Sequence, residues 1–263
     1  MIKPLAYNLT RRDIHYRHEV FSAGLKAAGY QVESLPPAKG KPGDVLLIWN
    51  RYGQYHDIAK RFEQGGGTVI VAENGYLGKD ETGNQLYALA IGGHNGSGQW
   101  NTGGPERFAA LGVELQDWRS EGKHILVCPN RSFGRPDIIM PCDWTREVCE
   151  KIKRYTSREI RVRQHPAVIK PKAPLADDLA GAWAVVIWGS SAGVHALVAG
   201  VPVFQESPHW ICASAASNNL AMIENPAMDH HRRLTALQKL AWAQWSLKEI
   251  ETGAAFDHLL RTA

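Results

Sequence analysis

Short apolar runs alternate with amphipathic stretches along most of this chain, and turn residues separate them. Lys3 to Tyr7 reads as a first strand. His18 to Ala28 has apolar residues at helical spacing and stops at Gly29, a glycine placed as a helix terminator. Val32 to Leu35 is a short strand before the Pro36-Pro37 break. Asp44 to Trp49 is an apolar run of the buried-strand kind, and Tyr55 to Gln64 is a helix closed by Gly65-Gly66-Gly67. Thr68 to Ala72 is another buried strand, leading into a turn at Glu73-Asn74-Gly75. Alternation of this sort predicts a doubly wound parallel sheet.

Between Gly78 and Gly104 the pattern changes. Gly, Asn, Thr and His dominate around Gly92-Gly93-His94-Asn95-Gly96-Ser97-Gly98, which predicts a long mobile loop of the functional kind. Pro105 to Leu111 is a helix with proline near its start. A second series begins near His124. Its strands are Ile125 to Cys128, Ile160 to Arg163, Ala184 to Trp188 and Val201 to Phe204. Its helices are Asp143 to Tyr155, with Asp143 as N-cap, and Leu175 to Ala182. Leu234 to Arg261 reads as strongly helical and carries Trp242 and Trp245, three apart, as core residues. The expected fold class is α/β: two Rossmann-like halves facing a cleft, with a C-terminal helical segment. The expected domains are 1–117 on the acceptor side, 118–232 for the donor, and a helix over 233–263 packing back on the first.

Length and composition fit this picture. The chain has 263 residues, 44% hydrophobic and 21% charged, with a net charge of +4. That is an ordinary globular composition, mildly basic, compatible with an anionic ligand and weak evidence for nucleic-acid binding. No apolar run approaches the ~20 residues of a membrane span, and the first residues lack the pattern of a signal peptide. A cytoplasmic protein is expected. Cys128, Cys142, Cys149 and Cys212 fit no zinc spacing and no disulfide framework, so free thiols are expected.

The candidate chemistry lies where strands end. Val185 to Phe204 reads as a buried strand, a Gly189-Ser190-Ser191 turn, a short helix, a glycine stop and a second buried strand. A turn that opens a helix after a strand offers unpaired N–H groups and the positive end of the dipole to an anion, and two hydroxyls add donors. Simple helix capping is the alternative. Glu159 to Pro166 reads as a strand ending in Gln164-His165-Pro166, so His165 falls at the same sheet edge; a packed or surface His-Pro turn is the alternative. Arg161, Arg163, Arg131 and Arg135 are candidates to neutralise a phosphate, with a solvated Arg131-to-Pro136 loop as the alternative. Glu73 follows a buried strand and could be a base or merely a solvated turn residue. Asn50, Arg51 and Tyr52 follow another strand and could line the acceptor side, and His94 and Asn95 could form a lid. His195 reads as a buried helix residue facing the sheet. Pro208-His209-Trp210-Ile211 could cover a nucleotide base or simply pack. No Asp-x-Asp pair is evident, so no cofactor and no obligatory metal are expected.

Taken in order, Glu73-Asn74-Gly75-Tyr76-Leu77, Gln164-His165-Pro166, and Gly189-Ser190-Ser191 with Ala196-Leu197-Val198-Ala199-Gly200-Val201-Pro202-Val203 resemble bacterial capsule-polysaccharide and Kdo transferases. More loosely, they resemble bacterial GT-B sialyltransferases. Those families carry an acidic-acidic-Gly motif, then His-Pro, then Ser-Ser/Thr within S-x-x-G-x-E-A-L-x-x-G-x-P-V. This chain has His195 where Glu is usual and Asn74 where Asp is usual. The resemblance covers residues 69–78 and 159–205. It implies a GT-B-like glycosyltransferase in which Glu73 stands nearest the reacting carbon or acceptor, and His165, Ser190 and Ser191 contact the donor phosphate. It points to a nucleotide-sugar donor, CMP-activated, and a surface glycan as acceptor. Ile223-Glu224-Asn225-Pro226 and the Trp-bearing helix resemble bacteriophage sequences, which opens a second acceptor, a hydroxymethylated base in DNA. A non-catalytic nucleotide-sugar or phosphate-binding module and a sugar-nucleotide epimerase stand as alternatives.

Overall fold

Unbroken runs of Val, Ile, Leu and Ala form the central strands of two separate sheets. The computed structural model describes residues 3–132, 134, 135 and 137–261. Phe133 and Pro136, within the loop expected at the donor, lie outside the described residues, as do the first and last two positions. Contacts divide the chain into two compact units, Met1–Leu111 with Lys239–Ala263, and Gly112–Gln238.

The first unit holds β1 (Leu5–Asn8), α1 (His18–Ala27), β2 (Gln31–Glu33), β3 (Val45–Trp49), α2 (Gln54–Gln64), β4 (Thr68–Lys79), β5 (Gln85–Ile91) and α3 (Glu106–Ala110). The second holds β6 (His124–Cys128), α4 (Trp144–Ile152), β7 (Glu159–Val162), α5 (Leu175–Ala180), β8 (Ala182–Ile187), α6 (Ala192–Val198) and β9 (Val203–Gln205). α7 (His230–Ala241) straddles the division. β10 (Gln244–Trp245), α8 (Leu247–Glu251) and α9 (Ala254–Leu260) return to the first unit.

The first sheet runs β10-β5-β4-β3-β1-β2. β2, β1, β3 and β4 are parallel, but β5 is antiparallel to β4, and β10 is antiparallel to β5. The sheet is therefore mixed, which corrects the expectation of a purely parallel one. The alternating register buries both faces. Ala6, Leu47, Ile70 and Ala72 pack with Phe21 and Leu25 of α1, Ile250 of α8 and Phe256 of α9. Leu46, Ile48, Val69 and Val71 pack on Ala59 and Phe62 of α2. Each large side chain buried this way contributes about 1.5–3 kcal/mol. Gly24 lets α1 approach α8 closely, since a Cβ there would meet the Ile250 carbonyl.

Three further expectations are corrected in this unit. The region 78–104 contains β5, whose Leu86 to Ala90 are buried. Glu73-Asn74-Gly75 is no turn: pairing with β5 continues through Glu73↔Ala88 and Asn74↔Tyr87, and the register shifts only between Asn74 and Lys79. The C-terminal helix is broken into α7, β10, α8 and α9. The Ser246–Glu249 capping box starts α8, and Gly253 at φ 86 separates α8 from α9. Trp245 is buried, and Trp242 stacks on His258 at 4.7 Å, as packing residues do.

The second sheet is parallel throughout, in the order β7-β6-β8-β9. Asp143 precedes α4 but does not cap it with its side chain; its carboxylate instead reaches Arg146 at 3.7 Å. All four cysteines are free. Burial pushes the Cys128 thiol up to about 12, so it is no nucleophile at neutral pH. Among the described residues no helix is long and apolar enough to cross a membrane.

Candidate active site

Because β6, β7, β8 and β9 are parallel, the segments after them leave from one sheet edge. The chain moves to one side of β6 to make β7 and to the other side to make β8 and β9. The crevice outside the carboxyl ends of β6 and β8 is thus a topological switch point, where α/β sheets collect ligands. Asn130 and Arg131 follow β6 on one side of it, Gly189, Ser190 and Ser191 follow β8 on the other, and His165 follows the neighbouring β7.

The turn after β8 is built differently from the expectation. The amides of Ala192, Gly193 and Val194 do not stand unpaired. They donate to Ser190 Oγ at 3.2 Å, the Ser190 carbonyl at 3.1 Å and the Ser191 carbonyl at 2.9 Å. α6 spans seven residues. What the turn presents is therefore chiefly hydroxyl chemistry. Ser190 Oγ accepts from Ala192, which leaves its O–H as the donor. Trp210 Nε1 donates to the Ser190 carbonyl at 3.2 Å and fixes the turn from behind. Gly189 N donates to Asn130 Oδ1 at 3.3 Å, tying the ends of β6 and β8 together. Sequence reasoning missed Asn130, because only the sheet order makes it a neighbour of Gly189.

His165 is half-buried. Its Nδ1 accepts from the Ala167 amide at 3.1 Å, so in the neutral ring Nε2 carries the proton and is the donor. Burial first, and then the Arg131 charge, hold its pKa below the ordinary histidine value. Arg163 and Arg135 are engaged within the unit. Arg163 Nη1 donates to the Ala173 carbonyl at 3.0 Å and pairs with the Asp178 carboxylate. Arg135 forks onto Asp137 at 3.0 and 2.5 Å and holds that carboxyl at about 2. Arg161 pairs with Glu159 at 2.8 Å. His195 is exposed on α6 rather than buried against the sheet. Ile223 sits in the core, and Glu224 pairs with Arg158 at 3.0 Å.

In the first unit Glu73 is half-buried in β4. Its Oε1 accepts from the Asn95 amide at 2.9 Å and from the Tyr76 hydroxyl, and the Asn95 amide also reaches that hydroxyl at 3.0 Å. The Asn50 amide donates to the Ala72 carbonyl at 2.9 Å, which seats Asn50 beside Glu73 at the end of β3. Asn50 and Asn95 both have positive φ, 56° and 55°. Such conformations concentrate at functional sites, and asparagine tolerates them better than most residues. Arg51 is turned inward: it forks onto Glu63 at 2.6 Å twice and donates to the Gly92 carbonyl, bracing the loop that carries His94 and Asn95. Tyr52 is exposed. The structure thus brings Glu73, Asn50 and Asn95 together, and turns Arg51 to their support. Among the described residues no three His, Cys, Asp or Glu side chains gather as metal ligands.

A pH dependence follows in the second unit. His124 is buried, with Nε2 donating to the Asp178 carbonyl at 3.1 Å, and burial, then Arg161, lower its pKa. For both His124 and His165 the unfolded chain binds the proton more tightly than the folded one. Stability is then complete above the ordinary histidine value near 6.5 and falls as pH drops below it, by at most about 1.4 kcal/mol per pH unit for each proton. Thermal unfolding between pH 7.5 and 5.5 checks this. The expected result is a Tm that declines below pH 6.5, with a shallower decline in His165→Gln; a flat profile refutes it.

No protein-family model matches this chain, and no curated protein matches it. In fold it is similar to two solved structures from Thermosulfurimonas dismutans. One is KpsC, β-Kdo 2,4-transferase, with a TM-score of 0.57 at 12% identity over 90% of each chain. The other is KpsC, β-Kdo 2,7-transferase, with a TM-score of 0.58 at 14% identity, covering 97% of this chain and 99% of that one. What this chain shares with the two Kdo transferases is its fold.

Proposed function

We propose that this protein is a GT-B-like glycosyltransferase that moves a sugar from a nucleotide-sugar donor, CMP-activated, to a hydroxyl of an acceptor glycan. The observation that supports it most is the convergence of Asn130, Arg131, His165 and the Gly189-Ser190-Ser191 turn at one switch point of a parallel sheet. Glycosyl transfer breaks the bond between the anomeric carbon and a phosphate oxygen, and negative charge builds on the leaving nucleotide. Preorganised donors stabilise such charge. Here they are the Ser190 and Ser191 hydroxyls, His165 Nε2–H and the Arg131 guanidinium. Glu73 accepts the proton of the attacking hydroxyl as general base. We place the reaction in the cytoplasm.

A thermal-shift panel of CMP, UDP, GDP and ADP with their common sugar conjugates tests this on the wild type and on Ser190→Ala. At a hundredfold excess over Kd a ligand stabilises by about 2.7 kcal/mol, which raises Tm by roughly 5–10 °C for a chain of this size. The expected result is one nucleotide class, the cytidine one, that shifts the wild type and shifts Ser190→Ala much less. The shift is compared, not the absolute Tm, because losing the hydroxyl also removes an acceptor for Ala192. No shift from any nucleotide overturns the reading.

A further inference from the structure

Glu73 keeps its place through a residue that lies 171 positions later in the chain. β4 bulges between Asn74 and Lys79, and a bulge leaves ladder groups without partners on the neighbouring strand. The groups at stake here are the amides of Tyr76 and Leu77 and the Leu77 carbonyl. Tyr76 and Leu77 are buried, where an amide left without a partner or water is destabilising. Gln244 of β10 satisfies all three. Its Oε1 accepts from Tyr76 N at 2.9 Å and Leu77 N at 3.1 Å, and its Nε2 donates to the Leu77 carbonyl at 2.5 Å.

The register explains how it reaches. Gln244 pairs with Ala88, and Ala88 pairs with Glu73, so the three form one row across β10, β5 and β4. Residues in a row share a face. β10 lies two strands from β4 in the sheet order, and the Gln244 side chain reaches the β4 backbone where the register shifts. Gln244 is wholly buried, and Arg107 fixes its backbone by donating to its carbonyl at 2.7 Å.

We infer that Gln244 is a positioning residue for the base: it fixes the β4 bulge, the bulge fixes Tyr76, and the Tyr76 hydroxyl holds the Glu73 carboxylate in register with the Asn95 amide. This rests on the reading of Glu73 as the base. Gln244 is wholly buried, out of reach of a ligand in solution, so its loss is expected to act on kcat and leave donor KM alone. Displacements of about 1 Å at a catalytic group cost up to about a hundredfold in rate.

The test compares Gln244→Ala and Gln244→Glu in the full chain, following amide exchange at Tyr76 and Leu77 together with kcat and donor KM. Expected for Gln244→Ala are exchange at both amides faster by at least about tenfold, as for a locally opened segment, a kcat lower by about 10–100-fold and a donor KM within about twofold of wild type. Wild-type exchange at these amides, or an unchanged kcat, overturns the inference. If Gln244→Ala does not fold, Gln244→Glu decides, since it keeps an acceptor for both amides. Protected amides with kcat within about tenfold of wild type support the inference, and protected amides with kcat abolished overturn it. Glu73→Gln serves as the control: full activity there removes Glu73 as the base, whereas the exchange data still report whether Gln244 holds the bulge.

Discussion

Glu73→Gln lowers the rate of sugar transfer by about 10²–10⁴-fold, the range general base catalysis supplies. The substitution keeps an oxygen where Glu73 Oε1 accepts from the Asn95 amide and the Tyr76 hydroxyl, so the local fold and the Tm change little. It removes the site that takes the proton from the attacking hydroxyl. Donor binding belongs to the second unit in this reading, so the nucleotide-induced Tm shift stays at its wild-type size. Single-turnover rates with saturating donor separate the two effects. A variant that retains full turnover assigns the base elsewhere. A variant that loses the Tm shift as well makes Glu73 part of the donor site.

Arg107→Ala destabilises the first unit by about 2–4 kcal/mol, because one guanidinium serves several partners at once. Its Nη1 and Nη2 fork onto Glu249 at 2.7 and 3.3 Å, Nη2 also donates to the Gln244 carbonyl at 2.7 Å, and Nε donates to the Ala241 carbonyl at 3.2 Å. Its Cζ lies 4.0 Å from the Trp245 ring centroid. Truncation leaves two carbonyls and a partly buried carboxylate without these donors. Lysine does not repair the loss, since a point charge cannot span the fork. Urea unfolding of wild type, Arg107→Ala and Arg107→Lys measures it. An Arg107→Lys midpoint equal to wild type makes charge alone sufficient and refutes the argument from the fork.

The stretch from β8 to β9 was legible because its apolar runs are continuous and its glycines punctuate them; both survive in any environment. β5 was hidden by its neighbours. Glycine-rich sequence flanks it on the C-terminal side, and its small alanines weaken the strand pattern that Leu86, Tyr87 and Leu89 begin. The break in the C-terminal helix did leave a signal, Ser246-Leu247-Lys248-Glu249, the spacing of a capping box. His165 and the Ser190-Ser191 pair stand out in the sequence because they follow predicted strands; Glu73 stands out for the same reason, although β4 runs on through it. Asn130 and Gln244 do not. Each matters through a partner far along the chain, Gly189 for one and the Tyr76–Leu77 backbone for the other. The partners of Arg163 and Arg51, Asp178 and Glu63, were hidden for the same reason, since only packing reveals them.

Because β10 arrives after the second unit in chain order, the first unit cannot finish its sheet while it is being made. Residues 112–238 precede Gln244, which closes the β4 bulge, in the order of synthesis. Domains generally fold as they emerge, N-terminal first, but this order favours the second unit maturing ahead of the first. A chain ending before Gln244 would lack the side chain that answers the Tyr76 and Leu77 amides beside Glu73. The first unit is thus discontinuous in sequence, and its sheet is completed only after the whole of the second unit has been made.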